Sequence, residues 1–267
     1  MAYDAQLRKQ FKWSAKGNLA QAFWPAMGAS ILAMLPGALI SIIYNQEISR
    51  LDAGRMMLFL LVYVAALIFI VVPLQFGAMH YFTARARGQL VPVTTIFTCF
   101  GEGQQYKNAL KLCFSIFFRS IGWIVLEIAA AVPWCWVLVD EMIYVATTGN
   151  DPRPGTFTKL LVLSLVFIVV TLLVNVKIRR FDGAYIRLID DPDMSAWQAT
   201  KECAVTFRRH NWELFVFDLS FFPWVLLTLI TLGIVGIYLQ AYMNMAFVNY
   251  FDALRQHELG VPPVSFE

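Results

Sequence analysis

The chain has 267 residues, of which 59% are hydrophobic and 15% charged, with a formal net charge of +3 and a mean hydropathy of +0.61. A soluble domain is ordinarily roughly 45–50% apolar and 25% charged, so this composition excludes one. The apolar residues come in long blocks, and the longest polar stretch, 177–211, is too short to bury a core of its own.

The chain therefore reads as all-α, a polytopic integral membrane protein forming a single membrane domain over 1–267. At the start, Tyr3, Leu7 and Phe11 share one helical face, with Arg8, Lys12 and Lys16 on the adjacent stripe. That pattern predicts an amphipathic N-terminal helix over 1–18 lying on an anionic leaflet. Apolar runs follow at about 19–44, 56–82, 110–138, 158–177, 212–231 and 234–253, each near the ~20 residues that cross a bilayer. Six transmembrane helices are expected, the last two as a tight hairpin around Gly233 to Gly236, with a tail over 254–267. The first run is too long for a signal-peptide core and carries Pro25 and Pro36, so it reads as uncleaved. Between the fourth and fifth runs, Ser195 with Gln198 three residues on predicts a helix start after Pro192. Ala196, Ala199, Cys203 and Phe207 then fall on one face of a short interfacial helix.

Lysine and arginine set the expected orientation, because they are retained in cytoplasmic loops. Sixteen lie in the N-terminal segment, the second and fourth loops and the tail; four lie on the opposite side, at Arg50, Arg55, Arg153 and Lys159. Both termini are therefore expected in the cytoplasm. Trp13, Trp24, Trp134, Trp136, Trp212 and Trp224 sit near span ends, as membrane-belt anchors do.

Charges inside spans are costly and tend to be functional. Three candidate intramembrane polar residues follow: Arg119 and Glu127 in the third run and Asp218 in the fifth. Arg119 and Asp218 have matched depths from the basic loops, which predicts an ion pair that serves either as an interhelical clamp or as part of a solute or proton path. Glu127 is the deepest acid, near mid-bilayer, and is expected to be a neutral hydrogen-bonded group or a protonatable relay. Asp140 and Glu141, at the outer end of that run, and the turn Asp190-Asp191-Pro192-Asp193 read as solvated. Prolines at 25, 36, 73, 133 and 223 free backbone carbonyls that neighbours must satisfy.

Cys99, Cys113, Cys135 and Cys203 are widely spaced, and His80, His210 and His257 lie at predicted membrane edges, so neither a metal site nor a disulfide framework is expected. There is no G-x-S-x-G elbow, H-E-x-x-H, P-loop or Rossmann glycine pattern. No catalytic residue, cofactor or nucleic-acid partner is expected. One internal similarity stands out. Gly77-Ala78, a basic loop, Val91-Pro92, a short helix and Phe117-Phe118 recur in order about 105 residues later as Gly183-Ala184, a basic loop, Asp191-Pro192, a helix and Phe221-Phe222.

From 177 to 255 the chain carries Tyr185-Ile186 leading to Asp190-Asp191-Pro192-Asp193, then Ala199, Leu214-Phe215, Asp218-Leu219-Ser220-Phe221 with Trp224, Thr231-Leu232-Gly233, and Tyr242 before Phe251. In these residues it resembles the bacterial membrane-protein family catalogued as domain of unknown function 975. It departs from the family pattern at Leu173-Val174, Pro223 and Ala241. The resemblance implies a polytopic protein of a bacterial cytoplasmic membrane and supplies no activity, since that family is uncharacterised. Two functions compete on the sequence. One is a non-enzymatic membrane protein that binds protein partners or lipids, as an accessory of export or envelope traffic, with the bilayer and a membrane-protein partner or second copy as its contacts. The other is a small-solute or proton-coupled transporter or channel using Arg119, Glu127 and Asp218.

Overall fold

The structure, a computed structural model, describes residues 5–48 and 52–259. Among them the chain is helical throughout, with short turns and no strand. It divides into two compact units, one within 1–115 and 182–267 and the other within 116–181. Five helical stretches are long and apolar enough to cross a membrane: Phe23–Glu47, Gly54–Ala86, Gly103–Thr148, Thr156–Asp190 and Asn211–Ile230. Tyr3, Arg50 and the end of the tail, 260–267, lie outside the described residues.

In the first unit, α1 (Ala5–Gln21) and α2 (Phe23–Ile48) follow one another across a turn at Ala22, and α3 (Ala53–Ala66) opens with Asp52 as its cap. The Asp52 carboxylate accepts the Arg55 backbone N–H at 2.9 Å, meeting one of the donors that every helix start leaves without a partner. A π-helical turn, Leu67–Val71, leads into α4 (Val72–Ala86). This turn sits where Pro73 interrupts the ladder, since proline cannot donate to the carbonyl four residues back, that of Phe69. Tyr106 supplies the missing donor, its hydroxyl lying 3.1 Å from the Phe69 oxygen.

A short 3-10 turn (Val93–Phe97) and α5 (Thr98–Gly101) follow the loop after α4. Further on in this unit come α8 (Gly183–Asp190), α9 (Ala196–Thr206), α10 (Asn211–Leu219), α11 (Phe222–Ile230) and α12 (Ile234–Leu259). The fifth predicted run, 212–231, is thus two helices, broken at Ser220 and Phe221 ahead of Pro223. The run expected as a sixth span lies in α12, which falls outside the five apolar stretches. It carries Gln240, Asn244, Asn249 and Asp252, and α1, α2 and α4 pack around it. Seven successive residues, Met245 to Phe251, are buried, so all faces of the helix meet protein at that level. Inside this core the Asn249 amide donates to the Phe11 carbonyl at 3.2 Å, as a buried polar group must.

The N-terminal helix α1 packs within the first unit. Its buried stripe is Phe11, Ala15 and Leu19, and the face so formed packs on α12. Four-residue spacing aligns these small and apolar side chains into one seam that fits another helix closely. The Ala196, Ala199, Cys203 and Phe207 stripe of α9 is likewise buried. Phe207 stacks with Phe247 and Phe251, at centroid distances of 6.2 and 5.8 Å.

The second unit is a helical hairpin. The third predicted run, 110–138, is only the middle of α6 (Gly103–Thr148), a helix of 46 residues that continues through Pro133 and crosses from the first unit into the second. At about 1.5 Å per residue it is roughly 70 Å long, more than a bilayer requires. α7 (Thr156–Arg179) returns. The Trp134 indole N–H donates to the Ser164 hydroxyl at 2.9 Å, tying the two helices at mid-length. Glu141, expected in solvent, is buried. Its carboxylate accepts the Arg153 N–H at 2.5 Å and the Thr156 hydroxyl at 3.0 Å, so it fastens the connecting loop to the start of α7. Asp140 pairs with the Arg153 side chain at 2.7 Å.

Candidate functional site

The three polar residues singled out from the sequence are divided between the units. Arg119 and Glu127 lie on α6 in the 116–181 unit, and Asp218 lies in the last turn of α10 in the other. All three are half-buried.

The densest polar constellation in the first unit was missed by sequence reasoning. It forms where α4, α8 and α12 end near one another. Arg87, just past α4, is held by two carboxylates. Its Nε and Nη2 donate to Asp252 at 2.8 Å each, and its Nη1 and Nη2 donate to Asp190 at 2.5 and 3.2 Å. Arg255 donates to the same Asp190 at 2.6 Å. Two cations and two anions thus alternate in a chain, and the guanidinium fork of Arg87 matches both carboxylates in the two-bonded geometry that favours arginine over lysine. Burial alone would lower the pKa of Arg87, but its hydrogen bonds to Asp252 and Asp190 outweigh it and hold the guanidinium above its ordinary value. Burial would raise the Asp190 pKa, but its hydrogen bonds with Arg87 and Arg255 more than reverse that and hold the carboxyl below its ordinary value. The cluster's chemistry is that of a clamp.

Asp190 therefore departs from its expected role as part of a solvated turn, because two arginines from α4 and α12 converge on it. One signal was present in the sequence. Arg87 closes a span, and Asp252 and Arg255 stand three apart on one helix face, a spacing that can serve one set of partners. Nothing in the linear pattern, however, said which loop would face that helix.

Beside this cluster Arg187 donates to Glu202 at 2.7 Å, joining α8 to α9. Burial raises the Glu202 pKa, and hydrogen bonds from Arg187 and Gln198 more than reverse that, leaving it below its ordinary value. Burial pushes the Cys203 thiol up to about 12, and Cys99 also to about 12, again chiefly by burial. Both thiols are protonated near neutral pH and so are poor nucleophiles and metal ligands. Among the described residues the four cysteines are unbridged, and no three His, Cys, Asp or Glu groups gather closely enough to hold a metal ion.

The hairpin unit carries an open groove of about 410 Å³ whose lining includes Trp134, Leu138, Phe157, Leu161, Ser164 and Leu165. Apart from the Ser164 hydroxyl and the Trp134 N–H, which bond one another, this lining is apolar. Its chemistry suits an acyl chain or an apolar side chain rather than a hydrated solute.

No curated protein and no solved structure matches the chain. The family described as protein of unknown function (DUF975) matches residues 5–258, far more than the 177–255 stretch that carries the visible resemblance. By that match, covering nearly its whole length, the chain belongs to the DUF975 family.

Proposed function

We propose that the protein is a non-enzymatic multi-pass membrane protein that binds protein partners or lipids, as an accessory of export or envelope traffic in a bacterial cytoplasmic membrane. In this reading α12 completes six crossings, both termini face the cytoplasm, and the charge cluster of Arg87, Asp190, Asp252 and Arg255 braces the cytoplasmic ends of the spans.

One observation carries the reading. In the most apolar windows of the Gly103–Thr148 and Thr156–Asp190 stretches, 0% and 6% of the residues are buried within the chain itself. Apolar faces of that extent are satisfied by lipid tails or by another protein's helices. In the first unit, by contrast, Arg87, Asp190, Asp252 and Arg255 are spent on one another, and Arg187 on Glu202, which suits a braced scaffold.

The test is purification in mild detergent, with identification of co-purifying proteins and lipids, alongside flux measurements in proteoliposomes. A reproducible, saturable partner or retained lipid with no flux is the expected result. Solute or proton flux that Glu127→Gln, Asp218→Asn or Arg119→Gln abolishes in a still-folded protein would overturn the reading in favour of the transporter.

A further inference from the structure

The apolar stripe of α9 is spent inside the first unit, where Ala196, Ala199, Cys203 and Phe207 are buried. Its other side is also patterned. Trp197, Lys201 and Val205 stand four residues apart on α9 and all are exposed, so they share the outer face. Arg208 and Arg209 follow in the 3-10 turn Phe207–Arg209 and Trp212 in the first turn of α10, again exposed. The large apolar members are uncovered to 55% at Trp197, 65% at Val205 and 73% at Trp212. Between 195 and 212 the sequence holds one carboxylate, Glu202, and Arg187 occupies it at 2.7 Å. Glu213, just beyond, takes His210 at 2.7 Å. Asp191 and Asp193 precede the start of α9, at the end away from Arg208 and Arg209. Among the described residues Lys201, Arg208 and Arg209 have no carboxylate partner. Cations left without counter-charges thus alternate with uncovered tryptophan and valine, over one helix and the turn that ends it.

We propose that this outer face binds the headgroups of anionic phospholipids, with Lys201, Arg208 and Arg209 on the phosphates and Trp197, Val205 and Trp212 at the boundary with the acyl chains. Ammonium and guanidinium groups donate to phosphate oxygens, and basic side chains interleaved with aromatic ones are the pattern that holds a helix at an anionic leaflet. Connectivity favours a lipid over an acidic protein surface. Residues 191–210 join two apolar stretches, Thr156–Asp190 and Asn211–Ile230, and a segment between consecutive crossings begins and ends at the headgroup level on one side of the bilayer. Arg208 and Arg209 stand directly before the second stretch and Trp212 in its first turn, the level at which tryptophan is enriched. The inference rests on the membrane reading above and adds the lipid class and the face that meets it. In this arrangement protein covers one side of α9 and lipid the other.

The full chain, with Val205→Cys as its single cysteine and a fluorescent reporter attached there, is reconstituted in phosphatidylcholine vesicles with a minor share of phosphatidylglycerol. Each lipid in turn is brominated in the upper part of its acyl chains. Phosphatidylglycerol should quench the reporter several-fold more per molecule than phosphatidylcholine. Lys201→Gln with Arg208→Gln and Arg209→Gln should remove that difference, while Lys201→Arg with Arg208→Lys and Arg209→Lys should keep it. Lys107→Gln with Lys111→Gln, which neutralises two other exposed cations, should also keep it. Equal quenching by the two lipids before any charge is removed, or equal loss in the 107/111 pair, overturns the proposal. So does a reporter that neither lipid quenches, as it would be under an acidic protein or in water. Should the triple glutamine variant misfold, Arg208→Gln with Arg209→Gln decides by a several-fold smaller difference. Should the single-cysteine chain misfold, native mass spectrometry of phosphatidylglycerol retained by the chain with its own cysteines reads the same comparison. A chain that fails to enter bilayers at all defeats the membrane reading itself, whereas one that enters without lipid preference at this face defeats this inference alone.

Discussion

Pro73 cannot donate to the carbonyl of Phe69, and the Tyr106 hydroxyl does so in its place at 3.1 Å. Removing that hydroxyl takes away the side-chain donor of the Phe69 carbonyl, so Tyr106→Phe should destabilise the protein in detergent by about 1 kcal/mol. With Pro73→Ala, the backbone N–H returns and the same change should cost much less. A thermal or denaturant double-mutant cycle checks this, and equal costs in both backgrounds would refute it. The helix break ahead of Pro223 offers another backbone carbonyl to a side chain. The chain breaks at Ser220, whose carbonyl accepts from the Lys12 ammonium at 2.9 Å while the Lys12 charge sits 4.0 Å from the centre of the Phe221 ring. Burial, helped by the positive Arg8, lowers the Lys12 pKa from 10.5 to about 8. Because the folded state holds this proton less tightly than the unfolded state does, the cost of carrying the charge is full below about pH 8 and fades as pH rises toward 10.5. The wild type should therefore gain stability relative to Lys12→Met across that window, as read from melting temperatures at a series of pH values. A difference that stays flat would count against it.

Helix contacts in the first unit depend on two glycines that head the repeated sequence pattern. A Cβ on Gly77 of α4 would lie 2.0 Å from the carbonyl oxygen of Ile96, and one on Gly183 of α8 would lie 2.6 Å from the Phe251 ring. The first meets backbone, which cannot swing aside, so Gly77→Ala should push the Val93–Phe97 turn off α4 and cost at least the ~1–3 kcal/mol typical of overpacking. Gly17 of α1 has nothing within 4 Å of its Cβ position. There the same substitution should be neutral or stabilising by up to about 1 kcal/mol, because alanine loses less backbone entropy in a helix. Folded yield and melting temperature of the two variants check the contrast, and similar losses at both sites would refute it. The α9 start was legible from Ser195 and Gln198, and the Ser195 hydroxyl does accept the Gln198 N–H at 3.1 Å. The Gln198 side chain, however, goes to Glu202 at 3.1 Å rather than back to the cap, since Glu202 is one turn away and is already oriented by Arg187.

For the chain as a whole, the asymmetry of sixteen basic residues against four makes a prediction about sidedness. Cysteines introduced near Asn150 and near Asp191, in a background without the native four, should be labelled from outside and from inside the cell respectively. Labelling of both from one side would remove the arrangement proposed above. The same basic end is where the first unit is most firmly braced, since Arg87, Arg187 and Arg255 are each paired there. Its charges therefore do two jobs, of which only the orientation signal can be counted without knowing partners.

Helical class, membrane-type composition and the approximate positions of five apolar stretches were readable from the order of residues, because each depends on local runs and on spacing along the chain. Family membership was readable too, through the motif around Asp218. The packing of α12 was not, because its Asn249 and Asp252 are met by groups far away in the chain, the Phe11 carbonyl and Arg87. Nor was the use of Asp190, which looks like any acidic turn until Arg87 and Arg255 arrive from 103 and 65 residues away. Burial and ion pairing belong to pairs of elements, and a linear pattern specifies which face of a helix is apolar without naming what will cover it.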